Sequence, residues 1–358
     1  MVDLLVPQTI MQLVVVLVGA MATCAASLVY IGRVRLDRPA IGVFNGRDVV
    51  VLFVFIVTLP VLYLVLPHAA LTTFLILTFV ASLSIGYRPV VPRAVLWLAI
   101  GGLLGFNVYI ARTMLGTVTG WQLYWAETSV VVLLGATAVA NLYVQGGMQL
   151  RHVAWFAFGL GFYDVTFSVI IPLTPKLADA FIGYPLDPSI GMRVGILNAN
   201  IGIGDLLVYS LFVIAAYKAY GRRAATVGVG LVAVFGATLP ALAPLILEAV
   251  TRGNANAVVP AQAFFGIPAL ITYLLLHRHY GRERTTREFL TAIDAKRART
   301  TVPVSPAPQG SLPTVESVPA VESVPAVGSV PALTAASTAS TETAATPTER
   351  RTATSTNR

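Results

Sequence analysis

Nine long apolar runs follow one another along this chain of 358 residues, separated by short polar segments. The runs cover residues 7–31, 49–66, 69–85, 95–111, 122–144, 153–173, 194–216, 224–247 and 259–276. Each is close to the roughly 20 apolar residues that a helix needs to cross a bilayer. Charged residues make up only 11% of the chain, against about 25% in an ordinary soluble domain. The sequence therefore predicts an all-α polytopic membrane protein with nine transmembrane helices.

The loops differ in their content of lysine and arginine. Alternate loops on one side of the predicted bundle hold fourteen of these residues, and those on the other side hold four: Arg112, Lys176, Arg193 and Arg252. Because cytoplasmic loops are enriched in Lys and Arg, we predict a multi-pass protein of the cell membrane with its N-terminus outside and its C-terminus in the cytoplasm. The net charge of +8 then reflects basic loops facing the bilayer surface, and it does not indicate a nucleic-acid partner.

The composition changes after the last run, where Pro, Ala, Val, Ser and Thr dominate and a six-residue unit, ESVPAV, recurs. Such a segment has no helical or strand period with which to bury a core, so it is predicted to be disordered. The preceding charged stretch is predicted to extend the last helix along the membrane surface. The predicted organisation is 1–150 for helices one to five, 151–280 for helices six to nine, 281–299 for a charged juxtamembrane segment, and 300–358 for the low-complexity tail.

Three acidic residues lie inside apolar runs: Glu127, Asp164 and Asp205. A charged carboxylate at the centre of a span costs roughly 2.5–3.5 kcal/mol, so such groups are candidates for function. Counted from the starts of runs six and seven, which are predicted to face opposite sides of the membrane, Asp164 and Asp205 are each about eleven residues in, or roughly 17 Å at 1.5 Å per residue. Two antiparallel helices would bring them face to face. The alternative for each residue, and above all for Glu127 near its helix end, is a protonated carboxyl that bonds a neighbouring helix.

Glycines accompany both aspartates, with Gly159 and Gly161 before Asp164 and Gly202 and Gly204 before Asp205. Small residues allow membrane helices to approach closely, although glycines that serve only packing are common in such helices. The single cysteine, Cys24, excludes a disulfide framework and a cysteine-based metal site. The four histidines show no metal-ligand spacing beyond the weak pair His277 and His279.

Three short motifs resemble the signatures of the presenilin and signal peptide peptidase family of intramembrane aspartyl proteases. They are Tyr163-Asp164, Gly202-Ile203-Gly204-Asp205 and Pro268-Ala269-Leu270, in runs six, seven and nine. The resemblance covers about residues 153–276, and Pro-Ala-Leu also occurs at Pro240–Leu242 and Pro331–Leu333. The stretch Gly202–Ser210 looks nearer to presenilin, whereas the predicted orientation looks like signal peptide peptidase.

The resemblance implies an intramembrane aspartyl endopeptidase that cleaves transmembrane or signal-type helices without a metal or other cofactor. Asp164 and Asp205 would be catalytic. Six further residues would shape the site or bind substrate: Tyr163, Gly202, Gly204, Pro268, Ala269 and Leu270. The signal peptide peptidase polarity would favour substrates with a cytoplasmic N-terminus. The need for accessory subunits stays open, because presenilin requires them and signal peptide peptidase-like enzymes act alone.

Two other function classes are also compatible with these residues. The same carboxyls could form a proton or cation relay in a transporter, although the two halves of the chain show no inverted repeat. The prepilin-peptidase branch also uses a GxGD aspartate. No GxSxG or HExxH motif supports a serine or zinc mechanism.

Overall fold

The computed structural model describes residues 2–36, 44–171, 173, 176, 181–186, 191–193, 200–243 and 260–301. Residues 302–358, which hold nearly all of the predicted disordered tail, lie outside the described residues. The helices are α1 (Val2–Arg33), α2 (Gly46–Val65), α3 (His68–Tyr87), α4 (Arg93–Thr113), α5 (Val118–Gln145), α6 (Leu150–Val165), α7 (Ile203–Tyr220), α8 (Arg222–Leu231), α9 (Ala261–Tyr280) and α10 (Thr286–Thr301). Two short strands, β1 (Gly191–Arg193) and β2 (Asn200–Gly202), precede α7.

Seven helices in the described part are long and apolar enough to cross a membrane. The prediction of a mostly helical membrane protein is therefore confirmed, but the prediction of nine spans is not. Among the predicted spans, the two exceptions are α6 and α9. Helix α6 has only 16 residues before its geometry changes to a π-helical turn at Thr166–Ile170. Helix α9 is less apolar because its last turn carries His277, Arg278 and His279.

The outer surface of the bundle is apolar. In α2 the only buried residue is Pro60, whereas Val50, Val51 and Val54 are each more than half exposed. A soluble monomer rarely exposes a contiguous apolar surface of this kind. This face of α2 therefore fits a helix that is surrounded by lipid.

Helix α7 forms the centre of the fold. It contacts α1, α5, α6 and α8, and nearly every residue from Leu206 to Ala219 is buried. Its one buried cation, Lys218, donates hydrogen bonds from Nζ to the carbonyl oxygens of Val144 and Met148, both at 2.9 Å. These bonds satisfy the buried ammonium group with carbonyl oxygens at the end of α5 and in the chain that follows it.

Helices α6 and α9 pack closely against each other, because glycines at the interface allow their backbones to approach. A Cβ atom added at Gly266 would lie 2.6 Å from the carbonyl oxygen of Ala157, and one added at Gly161 would lie 3.1 Å from that of Gln262. Both neighbours are backbone atoms, which cannot rotate away. The close approach fixes the first turn of α9 beside the last turns of α6.

The start of α7 differs from the sequence-based expectation. Residues 194–216 are predicted as one helix, with Asp205 about eleven residues inside it. Instead β1 and β2 pair in antiparallel orientation, and α7 begins only at Ile203. Gly202 is extended, with ψ at 149°, and glycine is a poor helix former. Asp205 therefore lies in the first turn of α7, and residues 194–199 are outside the described residues.

The segment after α9 also differs from the prediction. The charged stretch does not continue α9, because the helix ends at Tyr280 and the next residue, Gly281, has a φ of +76°. Residues 281–285 form the α9–α10 linker, and α10 then packs Phe289 against Tyr217 of α7. The exposed pair Arg35–Asp294, at 2.9 Å, joins α10 to the chain after α1.

The α9–α10 linker caps two helices with adjacent side chains. The Glu283 carboxylate accepts hydrogen bonds from the backbone N–H groups of Leu150, at 2.8 Å, and Arg151, at 3.0 Å. The Arg284 guanidinium donates to the carbonyl oxygens of Tyr217, at 2.9 Å, and Ala219, at 3.1 Å. An anion at a helix N-terminus and a cation at a helix C-terminus both offset the helix dipole. The linker thus binds the start of α6 to the end of α7.

We expect Glu283→Ala to lower the free energy of unfolding by about 1 kcal/mol, because it removes the cap of α6. Chemical unfolding of the detergent-purified protein measures this change. Asp294→Ala is the control, since its ion pair with Arg35 is exposed and such pairs add little stability. Equal losses in the two variants would contradict a capping role for Glu283.

Candidate active site

The carboxyl of Asp164 lies next to the end of α6 and is bonded through both oxygens. Ser168 Oγ lies 3.1 Å from Oδ1, and the backbone N–H of Gln262 donates to Oδ2 at 3.0 Å. Gln262 is the second residue of α9, where backbone N–H groups have no partner within the helix. The positive end of the α9 dipole therefore points at Asp164.

The carboxyl of Asp205 lies in the first turn of α7. The side chain of Gln262 donates from Nε2 to Asp205 Oδ1 at 2.7 Å. A Cβ atom added at Gly202 would lie 3.3 Å from Oδ2, so a larger residue would crowd the carboxyl. A Cβ atom added at Gly204 would meet no neighbouring atom within 4 Å. The two glycines of the motif therefore differ, and only Gly202 packs against the carboxyl.

Gln262 joins the two aspartates. Its backbone donates to Asp164 and its side chain donates to Asp205. Both side chains therefore reach one residue, although not from the predicted positions in their helices, and their direct pairing stays a prediction. Two neighbouring carboxyls can share one proton, so that one acts as a base while the other acts as an acid.

Tyr209 forms the buried floor below Asp205, one turn further along α7. Its hydroxyl donates to the carbonyl oxygen of Gly236 at 2.8 Å, and its ring centroid lies 4.7 Å from that of Phe265. Gly236 belongs to the π-helical segment Val232–Thr238 that continues α8. A Cβ atom there would lie 2.8 Å from the Tyr209 ring. These contacts pack the protein closely one turn beyond Asp205.

The other residues of the three motifs are placed around the carboxyls rather than on them. Tyr163 is half-buried, and its ring centroid lies 4.7 Å from that of Phe167. Pro268 follows Gln262 by six residues on α9, which is about 9 Å along a helix. Ala269 is buried, and Leu270 packs against the core. The structure thus brings Gln262 against the carboxyls, and Pro268–Leu270 lies further along the same helix.

Sequence reasoning missed both Gln262 and Tyr209. Gln262 is a polar residue inside the ninth apolar run, and this was the signal that could have identified it. Tyr209 follows Asp205 by four residues, which places it on the same face of a helix. Gln262 belongs to no motif that the resemblance supplied, and Tyr209 lies within the presenilin-like stretch Gly202–Ser210 but was given no role there.

Glu127 belongs to a separate polar cluster between α4 and α5. Its carboxylate accepts a hydrogen bond from Asn107 Nδ2. The Asn107 side-chain oxygen in turn accepts from the backbone N–H of Leu186 at 2.9 Å. These bonds tie the 181–186 segment to α4 and α5. The contacts favour the structural alternative for Glu127.

Among the described residues, no group of three His, Cys, Asp or Glu side chains could hold a metal ion. The expectation of a cofactor-free mechanism stays a prediction. Comparison with family models, curated proteins and solved structures finds no match to this chain. The membership of the presenilin and signal peptide peptidase family therefore stays a prediction from the three motifs.

Proposed function

We propose that this protein is an intramembrane aspartyl endopeptidase that hydrolyses peptide bonds within transmembrane or signal-type helices. One observation carries the proposal: a single buried glutamine donates hydrogen bonds to two aspartates from different helices. Isolated carboxyls inside a membrane are costly. A pair that shares donors and a proton is both less costly and chemically useful.

In the proposed reaction a water molecule lies between Asp164 and Asp205. The ionised carboxylate takes a proton from the water as its oxygen attacks the peptide carbonyl carbon, and the protonated carboxyl donates to the carbonyl oxygen. The C–N bond of the tetrahedral intermediate then breaks: the leaving nitrogen takes the proton that the first carboxylate gained from the water, and a hydroxyl of the intermediate returns a proton to the other carboxylate. The products are a new carboxyl terminus and a new amino terminus, and the carboxyl pair returns to its starting state.

The substrate must be locally unwound, because a helix uses its carbonyl groups in internal hydrogen bonds. The backbone next to the site is already suited to an extended chain. Strand β2 ends at Gly202, three residues before Asp205, and the Gly202 position offers no side chain that would obstruct the carboxyl. These features support a site that accepts a stretched peptide.

The proposal includes nine spans with the N-terminus outside. Helix α6 together with its π-helical turn extends from Leu150 to Ile170, and this length is about 30 Å at 1.5 Å per residue. Helix α9 has 20 residues. Both lengths match the hydrocarbon core of a bilayer, which supports counting α6 and α9 as spans.

Incubation of the purified protein in detergent with a panel of labelled single-span helices tests the function. We expect peptide products whose rate of formation follows a bell-shaped pH profile, because one carboxyl must be ionised and the other protonated. Mass spectrometry of the products locates the cleaved bond, and a transition-state analogue of aspartyl proteases should block it. A lack of products, together with proton or cation flux in proteoliposomes, would favour a transporter instead.

A further inference from the structure

Gln262 is the most unusual polar residue in the described part of the bundle. It is only 5% exposed, and its two donor groups serve Asp164 and Asp205. Its side-chain oxygen Oε1 is buried without a hydrogen-bond partner. A buried amide normally satisfies both ends, so the orientation of this side chain needs a cause.

The carboxyl of Asp205 supplies that cause. An ionised carboxylate oxygen only accepts hydrogen bonds, so it must face the NH₂ group of an amide and not its oxygen. Turning the Gln262 amide over would set Oε1 against Asp205 Oδ1 and remove the only side-chain donor to that oxygen among the described residues. The unpartnered Oε1 therefore follows from holding Nε2 on Asp205.

The position of Gln262 in α9 connects this bond to Asp164. Its backbone N–H belongs to the first turn of the helix, where it is free to bond a neighbour. The backbone of α9 is fixed against α6 at Gly161 and Gly266. A rigid helix end thus holds Asp164 directly, and one side chain extends from the same residue to Asp205.

We infer that Gln262 is a positioning residue that holds the two carboxyls at a fixed separation and keeps Asp205 Oδ1 as a hydrogen-bond acceptor. The inference rests on the proposed protease function. Without the side chain, Asp164 would keep its backbone donor, but Asp205 could rotate away from the shared water. A displacement of reacting groups by about 1 Å can lower a rate by about 100-fold.

The test replaces Gln262 by methionine, which has similar length but no polar group. We expect Gln262→Met to lower kcat about 10- to 100-fold, to leave KM within about twofold, and to move the bell-shaped pH profile to higher pH. The shift has this sign because loss of a donor disfavours the ionised form of a carboxyl. A purely structural role would lower only the amount of folded enzyme and leave the profile in place.

Gln145→Met is the matched control. The Gln145 side chain also bonds partly buried backbone groups, accepting from Leu36 N–H at 2.9 Å and donating to the Val34 carbonyl oxygen at 3.2 Å, but it contacts no carboxyl. We expect unchanged kcat and an unchanged pH profile for this variant. An unaltered kcat and profile in Gln262→Met, with wild-type cleavage present, would overturn the inference.

A double-mutant cycle makes the hydrogen-bond connection testable without proteolysis. Gln262→Met and Asp205→Leu are compared singly and together by thermal unfolding, and we expect the double variant to lose less than the sum of the two single losses. Additive losses would overturn the connection. If the losses of the variants are non-additive but the wild-type protein cleaves no substrate, the hydrogen-bond connection is supported and the proposed function is overturned.

Discussion

We expect Asp164→Asn and Asp205→Asn each to reduce the proposed peptide hydrolysis by about 10²–10⁴-fold, the loss that follows when a group that transfers protons is removed. Asparagine has nearly the same size as aspartate and fits the same hydrogen-bonding space, but it cannot take a proton from water or give one to a carbonyl. Both variants should still fold, because each substitution removes a partly buried charge and leaves the packing in place. Initial rates on one cleaved helix, at matched amounts of folded protein, measure the effect.

Glu127→Gln is the control for these two substitutions. It changes a third carboxyl within an apolar helix in the same way, but its partner is Asn107, and it has no contact with the aspartate pair. We expect its rate to stay near that of the wild type. Residual activity above about a tenth of the wild-type rate in either aspartate variant would contradict the shared roles of the carboxyls.

Gly266→Ala should be the most damaging single-methyl change in the interface between α6 and α9. The new Cβ would lie 2.6 Å from the Ala157 carbonyl oxygen, whereas ordinary contacts begin at 3.4 Å. Overpacking of this kind costs about 1–3 kcal/mol, and it separates the helices one turn away from Gln262. We expect a lower free energy of unfolding and a loss of cleavage of about tenfold or more, since misplacement of the carboxyls lowers the rate.

Gly230→Ala provides the comparison, because a Cβ atom at Gly230 meets nothing within 4 Å. Alanine favours helix over glycine by about 0.5–1 kcal/mol, so this variant should be as stable as the wild type or slightly more stable. Thermal unfolding of both variants in the same detergent measures the difference. Equal stability of the two would show that α6 and α9 separate without cost.

The sequence predicted the pairing of Asp164 and Asp205 but misjudged how it arises. Counting eleven residues into each run assumed that both runs are helical throughout. The seventh run contains Asn200–Gly202 as a strand. Within such an apolar stretch, only the glycines indicate where the strand ends and the helix begins. Both carboxyls still reach Gln262, because Asp205 lies in the first turn of α7 and Asp164 lies in the last turn of α6.

The roles of Gln262 and the α9–α10 linker could not be predicted from sequence for a related reason. The Gln262 N–H is available to Asp164 only because α9 begins at Ala261, and helix boundaries are the least predictable feature of an apolar run. Glu283 and Arg284 look like ordinary charges next to a membrane. Their capping function depends on the ends of α6 and α7, which are distant in sequence.

Helix α9 has a firm attachment near each end: Gln262 binds the aspartates at one, and the linker that follows Tyr280 binds α6 and α7 at the other. A helix of 20 residues is stiff, and it is about 30 Å long at 1.5 Å per residue. Any tilt of α9 that widens the gap between the aspartates must therefore also displace Glu283 and Arg284 from the helix ends they cap. In the proposed protease, restraints on the residues after Tyr280 would therefore act through α9 on the distant carboxyls.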